Sequence, residues 1–143
     1  MSVSRYDVNG TKTGVNLKYE GKRASTAITE NTFLTRHTDG TLTPATTAST
    51  NILGVAVART TSSDSDYAAN TRVAYDAARE GEEFIVDVDD ATTSGFQAGV
   101  ERALADAGTV QAAAVGSGEV ATVVVKRVLP GNKAVVTVKT ETL

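Results

Sequence analysis

The sequence predicts a mainly β protein: a small β-sandwich or β-barrel-like domain with one short α-helix and an extended N-terminal arm. Three observations lead there. Short runs rich in Val, Ile, Thr and Phe recur along the chain, separated by turns containing Gly, Pro or Asp. Only one stretch, about residues 95–107, carries apolar residues at helical spacing. Residues 1–23 are polar and of opposite charge to the rest. The chain therefore divides into an arm, 1–23, and a β-rich body, 24–143.

The elements follow in order. Within the arm, Val15, Leu17 and Tyr19 alternate, which suits one short strand. Thr32-Phe33-Leu34-Thr35-Arg36 leads into His37-Thr38-Asp39-Gly40 and then Thr41-Leu42-Thr43. Asp-Gly between two such runs predicts a hairpin with a type I′ turn, and Pro44 ends or edges its second strand. Residues 51–58 read as a buried strand in which Gly54 marks a bulge or a close backbone approach. Residues 60–66 are a polar loop, and 71–77 alternate as a strand would, at Val73, Tyr75 and Ala77. Phe84-Ile85-Val86-Asp87-Val88 is β-branched and reads as a strand. Ser94-Gly95-Phe96-Gln97 then fits a capping box, with Phe96, Val100, Ala103, Leu104 and Ala107 on one helical face and Gly108 as C-cap. The state of 110–118, rich in Ala and Gly, is open. Residues 120–128 and 133–140 flank Leu129-Pro130-Gly131-Asn132, the pattern of a type II turn, with Val123, Val125, Ala134, Val136 and Val138 on one side.

Composition bounds the function. At 143 residues the chain is one domain, long enough to bury roughly two thirds of its unfolded surface. Cys is absent, so disulfides and thiolate metal sites are excluded. Aromatic residues make up 5% and Trp is missing, so a core of Ala and Val buries modest area per residue, and association can share the task of stabilising it. In residues 1–23, Arg5, Lys12, Lys18, Lys22 and Arg23 face only Asp7 and Glu20, which leaves +3 there and, from a net −3, −6 on the remainder. That balance disfavours general nucleic-acid binding and suits an arm laid on another acidic surface, or equally a solvated terminus. No apolar run approaches the roughly 18 residues of a membrane span, and no signal-peptide pattern opens the chain. The expectation is a chain made in the cytoplasm, with neither nucleic acid nor membrane as partner.

Chemistry has few candidates. His37 is the one histidine, beside a hairpin tip, and no serine sits in a nucleophile-elbow pattern. Asp64 and Asp66, or Asp87, Asp89 and Asp90, offer oxygens to a structural cation, although Asp in such places also caps turns. A glycosidase-like pair among Glu80, Glu82, Glu83 and Asp87 has no aromatic platform beside it. No cofactor, catalytic residue or metal ligand is assigned, and the chain is expected not to be an enzyme.

Three segments carry a resemblance. Ala27-Ile28-Thr29-Glu30-Asn31-Thr32-Phe33-Leu34, then Thr38-Asp39-Gly40-Thr41-Leu42-Thr43-Pro44-Ala45-Thr46, then Ile52-Leu53-Gly54-Val55-Ala56, resemble tailed-phage capsid decoration, or cement, proteins. Residues 80–88 are similar to that family's following strand. The likeness covers about half the chain. It implies a decoration domain at 24–143 that binds the outer surface of the assembled capsid, bridges neighbouring major capsid proteins and forms homotrimers. On that reading Arg5, Lys12, Lys18, Lys22 and Arg23 contact the capsid, and deleting 1–23 releases the protein while the body stays folded. The long arm and the 95–107 helix depart from the short members of the family. The alternative is another virion β-module, in a tail, head fibre or adhesin. A carbohydrate-binding module is disfavoured by the missing Trp and the few Tyr.

Overall fold

The computed structural model describes residues 3–6, as backbone, and 17–140. Those residues form β1 (Val3–Tyr6), β2 (Leu17–Gly21), β3 (Phe33–Arg36), β4 (Leu42–Pro44), β5 (Gly54–Ala56) and β6 (Arg72–Ala77). They continue with β7 (Glu83–Val88), β8 (Glu101–Arg102), β9 (Leu104–Asp106), β10 (Thr109–Val110), β11 (Val123–Leu129) and β12 (Lys133–Val138).

Two sheets result. In the first the strands run β8-β11-β12-β7-β10-β9, with β1 also paired to β7. β1 runs antiparallel along residues 83–86 of β7, whereas β10 runs parallel to Asp87 and Val88. The two end strands of the path, β8 and β9, are separated in the chain by Ala103 alone. The sheet therefore curls back on itself as a nearly closed barrel, which leaves little open edge. The second sheet runs β2-β6-β5-β3-β4, all antiparallel.

Alternation assigns the core. Phe33 and Val55 lie opposite each other and face the barrel, where Phe84, Val86, Leu104, Val123, Val125, Ala134, Val136 and Val138 form one buried cluster with them. Phe33 and Phe84 meet edge-to-face, 5.4 Å between centroids at 83°, and join the two sheets. On the other face of the second sheet Leu34, Leu42, Ala56, Val73 and Tyr75 form a second cluster, closed by Ile28 and Leu53.

The expected strands at 84–88, 71–77 and on both sides of Pro130 are present, and Val123, Val125, Ala134, Val136 and Val138 are buried together. Gly131 and Asn132 take φ +76° and +55° in a three-residue loop between the paired Leu129 and Lys133. The Asp39-Gly40 hairpin forms with a different loop. His37 N donates to Thr41 O (2.7 Å) and Gly40 N to His37 O (2.8 Å), and of its loop residues only Gly40 has positive φ, +87°. This is the three-residue loop ending in a left-handed glycine, not a type I′ turn. Gly54 is a close approach: a Cβ there would come within 2.9 Å of Ala77 Cα on β6.

The helix at 95–107 is not formed. Gly95 and Gly99 take φ +86° and +95°, outside any right-handed helix. Gly99 N donates to Val125 O (2.7 Å) and Val125 N to Val100 O (2.9 Å), so the segment runs along β11 and into β8 and β9. Gly99, inside the segment, weakens a helix by about 1 kcal/mol relative to Ala. The extended path still buries Phe96, Ala103 and Leu104, and it also covers the edge of β11.

Candidate docking surface

Of the five basic residues expected to contact a partner, Lys18, Lys22 and Arg23 have described side chains, and Lys22 is not on the surface. Within residues 1–23, Val3–Tyr6 pairs with β7 and Leu17–Gly21 with β6. Arg5 lies opposite Phe84 in β1 by backbone register, and Lys12 lies outside the described residues. Lys18 is exposed on β2, the edge strand of the second sheet. Lys22 is fully buried at 0% exposure. Its Nζ donates to Tyr67 O (2.6 Å) and Arg23 O (3.2 Å) and sits 5.1 Å from the Tyr67 ring centroid. Asn70 Nδ2 donates back to Lys22 O (2.9 Å). Lys22 is thus an internal clamp on the 61–71 loop, its cation held by carbonyls and a ring face. Nothing in the sequence around it signals that burial, because its partners lie some 45 residues away.

Arg23 is the exposed member of the set that borders a concavity. A cleft of about 320 Å³ opens between the β3–β4 hairpin and residues 46–50, with Arg23, Arg36, His37, Thr38, Thr43 and Thr50 around it. Local hydrogen bonds fix its walls. Arg36 Nη1 lies 2.6 Å from Glu20 Oε1 and donates to Gly40 O at 2.9 Å. The Tyr75 hydroxyl donates to Glu20 from the other side. The Arg36 guanidinium holds the Glu20 carboxyl below its usual range, aided by Tyr75 and opposed by burial. Burial, with Glu20 beside it, raises the Tyr75 phenol far above its ordinary value. At the tip His37 Nδ1 is 3.1 Å from Asp39 Oδ1, and hydrogen bonds from the Thr41 hydroxyl and amide pull Asp39 down to about 2. Glu20, Arg36 and Tyr75 are far apart in the chain, so this network had no local signal to betray it.

A second cleft, of about 360 Å³, lies on the other side of Pro44 and is lined by Thr29, Thr32, Ala45, Thr47 and Asp106. Pro44 and Thr46 border both clefts, so the short edge strand β4 stands as a ridge between two depressions. Elsewhere Leu17 (46% exposed) and Tyr19 (55%) alternate onto the outer surface of β2, beside Ala74 and Val57.

Four of the acidic candidates, Asp64, Glu82, Asp89 and Asp90, accept hydrogen bonds from backbone amides. Asp89 Oδ1 accepts from Asp90 N (2.7 Å) and Ala112 N (2.8 Å), and Asp90 Oδ1 accepts from the Thr92 hydroxyl (2.5 Å) and amide (3.1 Å), which lowers its pKa. Asp64 Oδ2 accepts from Thr61 N (2.6 Å), and Asp87 is paired with Lys133 Nζ at 2.5 Å. Glu82, buried, accepts from Arg79 N (3.0 Å). Among the described residues no group of three or more His, Asp or Glu is placed to hold a metal ion. Compared with family models, curated proteins and solved structures, the chain matches none.

Proposed function

We propose that this chain is a structural virion protein that binds the outer surface of an assembled tailed-phage capsid and stabilises it by bridging neighbouring major capsid proteins. One observation carries the reading. The segments that resemble decoration proteins, 27–58 and 80–88, form β3, β4, β5 and β7 and pack on one another through Phe33 and Phe84, so the resemblance falls on one contiguous core. The surface features suit docking. An edge strand flanked by two shallow clefts and an exposed apolar strip at Leu17 and Tyr19 offer contact area. A standard interface of ~1,600 Å² suffices for stable attachment, and trimeric symmetry would multiply weak contacts into strong retention.

The test is addition of the purified protein to expanded, undecorated shells of the virus that carries it. Co-sedimentation in regular stoichiometry and a raised disruption temperature are expected. No binding to shells, with binding to tails or fibres instead, would assign the chain to another virion β-module.

A further inference from the structure

We propose that the cleft beside the β3–β4 hairpin is an oxyanion site that receives a carboxylate side chain, Asp or Glu, from a protein partner. This deepens the docking reading above and rests on it. The charges around the cleft decide its preference. Arg36 is already matched by Glu20, and His37 faces Asp39. Arg23 is exposed and its guanidinium has no hydrogen-bond or ion-pair partner among the described residues, so it is the uncompensated charge at the rim. A guanidinium presents a planar fork of donors that matches a carboxylate in two parallel hydrogen bonds.

The remaining donors agree. The Thr35 hydroxyl is spent on Asn51 O (3.0 Å), and Thr46 and Ser49 bond within their own turn. The hydroxyls of Thr38, Thr43 and Thr50 have no such partner among the described residues and border the same space. One free fork with three free hydroxyls fits a small anion carried on a side chain better than an apolar or cationic group. The walls are held in advance, by Arg36 on Gly40 O and by Asp39 on the Thr41 amide (3.0 Å), so little ordering is needed on binding.

The experiment titrates the full chain with a glutamate-rich decapeptide and, separately, with inorganic phosphate, and follows backbone amide NMR shifts. The peptide is expected to move the amides of residues 35–43 and 46–50. Arg23→Ala should weaken it about tenfold, the loss expected for one charge-assisted contact. Arg23→Lys should restore part of the binding, because it returns the charge without the fork. Unmoved amides, or equal affinity for wild type and Arg23→Ala with the fold intact by circular dichroism, would overturn the proposal. Phosphate binding without peptide binding would also overturn it, leaving a site for free ions. Failure on shells with these shifts present would count against the capsid reading alone.

Discussion

At Gly54 the chain has room for no side chain at all. A Cβ there would collide with the Asp76 carbonyl and lie 2.9 Å from Ala77 Cα, so β5 and β6 would have to part. Gly54→Ala should therefore cost about 3 kcal/mol, at the upper end of overpacking penalties, as measured by urea unfolding. Glu20 gives a pH prediction. Its carboxyl is depressed in the folded state, chiefly by Arg36, so the stability it contributes is complete above its ordinary value of 4.5 and is lost as pH falls through the lower folded value. Glu20→Gln should flatten the acid limb of stability measured between about pH 5 and pH 3. Asp39, Asp90 and Glu119 are depressed too, so part of that slope should remain. Both Glu20 and Arg36 are about one third exposed, which keeps the effect modest.

Elements tie the N-terminal segment to the body. β2 pairs along all five of its residues with β6, and Lys22 behind it is buried against Tyr67. Removing residues 1–23 takes away that strand and its clamp, and uncovers Val73 and Tyr75. The expected result is a drop of about 10 °C or more in thermal midpoint, at a few degrees per kcal/mol, followed by circular dichroism. A body that keeps its midpoint after that deletion would show β2 to be dispensable. Loss of shell binding on deletion therefore cannot by itself locate a contact, and point changes such as Arg23→Ala are the cleaner probe. β2 is also an open edge, and two features blunt it: Lys18 stands on it, and Arg72 Nη2 donates to Tyr19 O at 2.9 Å.

Across the whole molecule the two sheets share one core through Phe33 and Phe84. With few aromatics elsewhere, Phe33 is a large fraction of what holds the second sheet on the barrel. Phe33→Ala should cost about 3–5 kcal/mol. Because the core is common, fluorescence and circular dichroism should report one coincident unfolding transition in the wild type. Separate transitions for the two sheets would show that they are independently stable.

What the sequence determined alone is the local part. Alternation at Val73, Tyr75 and Ala77, the β-branched run 84–88, Asp39-Gly40 and Pro130-Gly131 each placed a strand or a turn, because their physics is confined to a few neighbouring residues. The apolar set Phe96, Ala103 and Leu104 was legible as core, but its spacing suits a helix and a bent, extended path alike. Tertiary structure decided between them, since only the extended path also satisfies the edge of β11. It likewise decided that Lys22 is interior while Arg23, next to it, is the free charge at a cleft. Burial and pairing of a charge depend on groups distant in the chain, and those distances close only when the sheets assemble.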